Sequence, residues 1–214
     1  MGVRKLQGMR SLCVAFIALA PCLAQDLRLG IIGTDTSHAS AFTKALNGPA
    51  GPDHVSGARV VAAFKGGSND IEESTSRVDK YAAELQDKWG VKMVEKISDL
   101  CPLVDGLLLE SVDGRPHLPQ FREAVECGKP VFIDKPLAST LEDALAIARL
   151  AEEKHVAWFS SSSLRYSDVA RMKSPHAIGA IVGSRTTRTA PQAGHDLVRY
   201  SCSGNAVHAI RRRL

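Results

Sequence analysis

A short polar stretch between an apolar run and a helical pattern carries residue types that can bind a phosphate. Its hydroxyl side chains and the backbone N–H groups of a beginning helix both suit an anion. The dinucleotide-binding pattern G-x-G-x-x-G uses three glycines here, for the tight turn, for contact with the pyrophosphate and for helix packing. Only the first glycine is present, because Asp35 and His38 occupy the other two positions. The candidate cofactor-binding residues of this turn are Gly33, Thr34, Asp35, Thr36, Ser37 and His38.

Asp35 leaves the interpretation of this turn open. A carboxylate beside a pyrophosphate is repulsive unless it points away from the phosphate or caps the helix. One interpretation is a phosphate-binding turn with an altered contact. The other is a plain strand-to-helix turn that Asp35, Thr36 or Ser37 caps. We expect the turn to accept a pyrophosphate despite the missing glycines.

The end of the second predicted strand bears on the choice between NAD and NADP. An acidic residue is expected there to bind the adenosine ribose, but the sequence reads AFKGGSND and places Lys65 at this position. A lysine beside glycines and a serine suits the 2′-phosphate of NADP, and it is equally typical of a solvated loop. The predicted cofactor is therefore NAD or NADP, without a choice between them.

These residues must be positioned by a series of strands and helices, and apolar runs alternate with helical patterns over residues 27–163. The strand candidates are LRLGIIG, ARVVAAF, VKMV, VDGLLLE, PVFID and VAWFSSS. VDGLLLE is apolar on both faces, as a strand covered on both sides must be. This alternation predicts an α/β fold with a doubly wound, mostly parallel Rossmann sheet. Ligands of such sheets bind at the carboxyl ends of the strands.

Capping signals predict where two of the helices begin and end. Ser74 or Ser76 is expected to cap the helix that Gly90 ends. A capping box, Ser139 to Glu142, is expected to begin the helix before the last strand. The apolar stripe predicted for that later helix consists of Leu141, Leu145 and Ala148.

Composition narrows the class of protein. Of the 214 residues, 44% are hydrophobic and 23% charged, which is typical of a soluble globular protein. The formal net charge of +4 owes much to the two ends of the chain, so we expect no nucleic-acid partner. Two of the five cysteines lie near the N-terminus, and the other three are widely spaced. That spacing predicts neither a disulfide framework nor a metal site, and no structural zinc is expected.

The N-terminus has the pattern of a secretory signal peptide. Arg4, Lys5 and Arg10 precede the apolar stretch SLCVAFIALAPCLA, which is too short to span a bilayer comfortably. Ala24 supplies a small residue at the expected cleavage point. Residues 1–24 are thus predicted to direct export to the periplasm or medium, with no membrane contact after their removal. An anchoring or buried helix is the alternative.

The most specific stretch runs from HLPQFREAVECGKPVFIDKPLAS to SSSLRY and resembles the Gfo/Idh/MocA oxidoreductase family. The family has a His-x-Pro at a helix start, a Gly-Lys-x-Val entering the fifth strand and a Glu-Lys-Pro at its end. Aspartate replaces the usual glutamate in the third element. The resemblance covers nearly all of residues 27–166 in order and spacing. The matching residues are His117, Pro119, Gly128, Lys129, Val131, Asp134, Lys135, Pro136 and Leu164 to Tyr166.

The resemblance implies an NAD(P)-dependent enzyme that transfers hydride to or from a sugar or cyclitol. It makes Lys135 the active-site lysine, which Pro136 holds at a strand end, where it can hydrogen-bond the reacting oxygen. Asp134 would keep the ammonium charged and oriented. Glu110 is either a second acid/base group or a rim carboxylate. His117 either contacts cofactor or substrate, or caps its helix.

The family also has a larger C-terminal α/β domain whose open sheet mediates oligomerisation, so a homo-oligomer is expected for a full-length form. After Tyr166 the resemblance thins. Residues 164–214 are interpreted as a linker and a truncated or aberrant start of that domain, since domains ordinarily need about 100–150 residues. Two alternatives remain: an NAD-dependent glycosidase of the same fold, and a non-catalytic Rossmann-fold protein that has lost its cofactor.

Overall fold

The computed structural model describes residues 25–168, 180–183 and 206–209 of the chain. The strands of its main sheet are β1 (Leu27–Ile32), β2 (Ala58–Phe64), β3 (Lys92–Val94), β4 (Gly106–Leu109), β5 (Val131–Asp134) and β6 (Trp158–Ser161). All six are parallel and lie in the order β3-β2-β1-β4-β5-β6. The order reverses between β1 and β4, which confirms the predicted doubly wound Rossmann sheet.

Helices connect these strands on both faces of the sheet. They are α1 (Ser37–Asn47), α2 (Glu72–Thr75), α3 (Val78–Trp89), α4 (His117–Ala124) and α5 (Leu141–Glu153). Short 3₁₀ turns follow β3, α4 and β6, at Ile97–Leu100, Val125–Cys127 and Ser163–Tyr166. Among the residues that the structure describes, no helix combines the length and the apolar composition needed to cross a bilayer.

Within residues 164–214, which are expected to begin a second domain, the structure describes one strand pair. Strand β7 (Ala180–Gly183) pairs antiparallel with β8 (Ala206–Ala209). The proposed signal peptide and most of the proposed linker lie outside the described residues. The division of the chain at residue 163 therefore stays a prediction.

The core lies on both faces of the sheet, because successive side chains of a strand point in opposite directions. Ile32 of β1 packs in a cluster with Ile133 and Phe121, all without exposed surface. Its neighbour Ile31 packs on the other face in a cluster that contains Leu85 of α3. A strand that is buried on both sides must be apolar throughout, as the sequence pattern indicates.

The helix starts differ from the sequence prediction. No side-chain hydrogen bond caps α3, and Ser74 lies instead in the separate short helix α2. The Ser74 hydroxyl contacts Asp35 and the Ser68 amide, so it is not available to α3. Gly90 ends α3 as predicted, in the left-handed conformation at φ 66°.

The capping box of α5 is displaced by one residue. Thr140 is the cap, and its Oγ1 accepts a hydrogen bond of 3.0 Å from the Asp143 amide. The predicted stripe is also wrong, because Leu141 is 77% and Leu145 49% exposed. The helix faces the core with Ile147 and Ala151 instead, which pack in the cluster of Ile32.

The prediction that the cysteines form no disulfide is wrong. Cys101 and Cys127 are joined across a sequence separation of 26 residues, with their Cα atoms 4.9 Å apart. Spacing did not reveal the bond because the 3₁₀ turn before Cys101 and the turn that ends at Cys127 meet only in the folded chain.

Loss of this disulfide is expected to lower the free energy of unfolding by about 2–4 kcal/mol, because the bond restricts the unfolded chain. Urea titration of the Cys101→Ser/Cys127→Ser double variant measures the loss. Reductant should lower the midpoint of the wild type to that of the variant and leave the variant unchanged. Equal midpoints for both oxidised proteins would contradict the prediction.

Because of a surface ion pair at the start of β1, the free energy of unfolding is expected to vary with pH in the acid range. Asp105 accepts hydrogen bonds from the Arg28 amide, Nε and Nη2 at 2.9, 3.1 and 2.8 Å, which lower the pKa of Asp105 to about 2. A depressed carboxyl pKa contributes stability above the unfolded value near 4, and this contribution is lost as pH falls toward 2. We expect Asp105→Asn to be less stable than the wild type at pH 6 and to approach it near pH 2 in thermal melts. A constant difference would contradict this.

Candidate functional site

The turn after β1 requires a glycine for its positive φ, as a tight turn does, and also for a close neighbour that the sequence did not reveal. Gly33 has φ +98°, and a Cβ placed there would lie 2.5 Å from both the amide nitrogen and Oγ of Ser111. The close neighbour is thus the loop after β4. Gly33 and Thr34 donate their amides to the carbonyls of Phe64 and Lys65, at 2.9 and 2.6 Å. The Thr34 hydroxyl donates to the carbonyl of Val78 at 3.0 Å, so it faces away from a phosphate at α1.

Asp35 points away from the start of α1. Its buried carboxylate accepts hydrogen bonds from Ser74 Oγ at 2.6 Å and from the Val112 amide at 3.1 Å. The cap of α1 is Thr36, whose side chain accepts from the His38 amide. The first turn of α1 holds no acidic residue, and Ser37 is exposed at its start. The residues present therefore fit a phosphate at this helix N-terminus, where Asp35 does not repel it.

His38 lies at the position of the third glycine but serves another contact. Its Nδ1 is 2.6 Å from Oδ2 of Asp134 at the end of β5, and its ring packs near Phe42. The side chain is 35% exposed. His38 thus belongs with the residues at the ends of β4 and β5 rather than with the phosphate-binding turn.

Lys65 lies at the surface beyond β2. Its Nζ pairs with Oδ1 of Asp79 at 2.9 Å, and its side chain is more than half exposed. The adjacent Gly66 and Gly67 both have positive φ and bring the loop against Gly33 and Ser74. A role for Lys65 toward a 2′-phosphate stays a prediction.

The strand order brings the three catalytic candidates together. Glu110 directly follows β4, Asp134 ends β5, and Lys135 follows Asp134. Because β4 and β5 are parallel neighbours, their carboxyl ends meet at one edge of the sheet. Lys135 Nζ is 3.4 Å from Asp134 Oδ2, and its side chain is 37% exposed. The peptide bond between Lys135 and Pro136 is cis.

Glu110 is not a rim carboxylate, because its side chain has no exposed surface. Neither carboxyl oxygen has a hydrogen-bond partner among the residues that the structure describes. Burial, and next the charge of Asp134, raise the pKa of Glu110 well above its ordinary value, while Lys135 opposes the shift. A buried carboxyl group without a partner is costly and points to a function.

Asp134 is buried but keeps its charge more readily than Glu110. Burial alone would raise its pKa, but the hydrogen bond from His38 and the charge of Lys135 outweigh burial and lower the pKa. Their different surroundings thus shift the pKa values of these two neighbouring carboxyl groups in opposite directions. Asp134 is the charged member that Lys135 contacts.

His117 does not cap its helix, and both of its ring nitrogens contact backbone carbonyls. It is the first residue of α4, and its side chain is fully buried. Nε2 lies 2.8 Å from the Ser111 carbonyl and Nδ1 3.2 Å from the Leu137 carbonyl. Burial lowers the pKa of His117, and the two carbonyl contacts oppose this shift. The ring ties the loop after β4 to the loop after β5.

Sequence reasoning missed a set of contacts between two loops that flank the end of β1. The β2–α2 loop (residues 65–71) and the β4–α4 loop (residues 110–116) meet where Ser68 Oγ donates to Asp113 at 2.8 Å. Arg115 donates to Asp70 at 2.7 and 2.9 Å and to Asp113 at 2.7 Å. No spacing rule pairs residues 45 positions apart.

A doubly wound sheet with a lysine and two carboxyl groups at the strand ends beside its switch point places the chain in the class of dinucleotide-binding α/β domains. The chain belongs to the Gfo/Idh/MocA oxidoreductase family, whose model, described as an oxidoreductase family with an NAD-binding Rossmann fold, matches residues 27–162. The domain is thus of the kind that binds a nicotinamide cofactor.

Curated relatives and solved structures agree with this assignment. The chain is 31% identical over 163 residues to inositol 2-dehydrogenase 1 of Saccharopolyspora erythraea, covering 72% of the chain and 43% of the relative. It is 28% identical over 133 residues to inositol 2-dehydrogenase of Corynebacterium glutamicum, covering 61% of the chain and 34% of the relative. The chain thus spans less than half the length of these two relatives.

A solved myo-inositol 2-dehydrogenase from Lactobacillus plantarum superimposes with a TM-score of 0.51 and 19% identity. The match covers 69% of the chain and 39% of that structure. At this identity the likeness concerns the fold alone.

Proposed function

We propose that the chain is the cofactor-binding part of an enzyme that transfers hydride between NAD(P) and a carbon bearing a hydroxyl group, in a sugar- or cyclitol-like substrate. The observation that carries the proposal is the position of Lys135, ion-paired with Asp134 at the end of β5 beside the crevice of the sheet. The names of the two curated relatives support the substrate class.

The cofactor, when bound, supplies the hydride acceptor or donor. The start of α1, with exposed Ser37 and the capped turn at Thr36, would hold its pyrophosphate. Lys65 follows β2, where the sequence pattern predicts contact with the adenosine ribose, and a 2′-phosphate there would compete with Asp79 for its ammonium. In this proposal the Lys65–Asp79 ion pair influences the preference for NAD or NADP.

Lys135 is the group that meets the reacting oxygen. An ammonium donates hydrogen bonds to the negative charge that develops on the oxygen when a carbonyl is reduced. Asp134 holds Nζ in place, and His38 in turn holds Asp134 through its 2.6 Å contact. Asp134 and His38 are therefore positioning residues in this proposal.

Cofactor binding tests the proposal directly. NADH and NADPH are titrated separately into the protein, and the binding of each is followed by the change in nicotinamide fluorescence. Lys65→Ala should weaken NADPH binding more than NADH binding if Lys65 contacts a 2′-phosphate, with the distant surface variant Lys154→Ala as control. If neither cofactor shows saturable binding, the proposal is wrong.

We further propose that residues 1–24 export the protein, as their composition indicates. The Cys101–Cys127 disulfide supports export, because such bonds persist mainly in oxidising compartments. The mature N-terminus, measured by mass spectrometry of protein recovered outside the cytoplasm, should begin near Gln25. Full-length protein confined to the cytoplasm would contradict export.

A further inference from the structure

We propose that His38, Glu110 and Asp134 bind a divalent first-row transition-metal ion, such as Zn²⁺ or Mn²⁺. One ligand atom from each of these side chains lies within 4.8 Å of the other two. The residues come from the first turn of α1 and from the ends of β4 and β5. The inference does not rest on the proposed oxidoreductase activity.

The surroundings of Glu110 are the observation that points to a ligand. Its carboxyl group is fully buried, both oxygens lack a partner among the described residues, and it faces two other ligating groups. Buried polar groups are almost always satisfied, so such a group requires an explanation. A bound cation would supply the missing partner and offset the cost of burying this carboxylate.

The donor set selects the kind of ion. One imidazole nitrogen and two carboxylates suit Zn²⁺, Mn²⁺ and Fe²⁺, whereas Ca²⁺ and Mg²⁺ prefer oxygen ligands alone. Binding would replace the 2.6 Å contact between His38 and Asp134, because both atoms would direct lone pairs at the ion. Three protein ligands would leave at least one coordination position open.

Lys135 is the one cation close to this cluster among the described residues, with Nζ 3.4 Å from Asp134 Oδ2. Its charge opposes that of a metal ion, but the two carboxylates carry as much negative charge as a divalent ion carries positive charge. The half-exposed Lys135 chain can also turn toward solvent. The cluster can therefore hold a divalent ion with Lys135 charged.

Metal titration without any nucleotide tests the proposal. Untagged protein, freed of metal by dialysis against chelator, is titrated with Zn²⁺ and separately with Mn²⁺ by isothermal calorimetry. We expect one equivalent of at least one ion to bind and to raise the melting temperature. Glu110→Gln, which keeps the side-chain volume, and His38→Gln should each weaken binding more than about tenfold.

His155→Asn is the matched control, because His155 is exposed and has φ 53°, a conformation that asparagine accepts. It should bind metal like the wild type. Circular dichroism of metal-free Glu110→Gln checks that the variant is folded. Failure of the wild type to bind one equivalent of either ion would overturn the proposal. So would a metal affinity of Glu110→Gln and His38→Gln equal to that of the wild type.

Discussion

Gly33→Ala is expected to lower the free energy of unfolding by about 3–5 kcal/mol, a large share of the stability of a domain of this size. The added Cβ would lie 2.5 Å from the backbone nitrogen of Ser111, which cannot move as a side-chain end can. The φ of +98° adds strain for any residue with a Cβ. Chemical denaturation followed by circular dichroism measures the loss.

Gly57→Ala separates the two causes. Gly57 has a similar φ of +92°, but no atom lies within 4 Å of the position of an added Cβ. This variant should lose only about 1–2 kcal/mol, from the backbone conformation alone. Equal losses at the two positions would show that contact with Ser111 contributes nothing.

If the proposed function holds, Lys135→Ala lowers kcat about 10²- to 10³-fold, the usual effect of removing one donor to a developing oxyanion. The assay combines NAD(P) with a panel of inositols and sugars, because the substrate is proposed only as sugar- or cyclitol-like. Lys135→Arg should recover part of the rate, because it keeps a charged donor. Lys154→Ala, which removes a surface lysine at the end of α5 that pairs with Glu126, should behave like the wild type. A Lys135→Ala enzyme of unchanged kcat would remove Lys135 from the mechanism.

The sheet could be predicted from the sequence because its signal is local. Each strand contains a short apolar run, because the positions that are buried on either face require apolar side chains. The ends of β4 and β5 could be located for the same reason, and with them Glu110, Asp134 and Lys135. Parallel neighbours then bring these side chains to one edge without further information.

The contacts within the site could not be predicted, because they join distant residues. Asp35 meets the Val112 amide across 77 positions, and His38 meets Asp134 across 96. Sequence spacing carries no trace of such pairs, so the sequence predicts for Asp35 only an altered phosphate contact or a helix cap, and not its contacts with Ser74 and Val112. The contacts of His117 with two backbone carbonyls could not be predicted either, because the two acceptors lie in separate loops.

The amphipathic pattern of α5 misled the prediction for a different reason. Leucines at 141 and 145 have helical spacing, but Ile147 and Ala151 have the same spacing on another face. Periodicity alone does not say which of two apolar faces meets the sheet. In the folded chain, the face of α5 that carries Ile147 and Ala151 packs against the cluster of Ile32.

The contact between the two loops beside β1 concerns kinetics as much as affinity. If a dinucleotide binds beneath these loops, as the proposed function requires, the contacts of Arg115 with Asp70 and of Ser68 with Asp113 would slow its release.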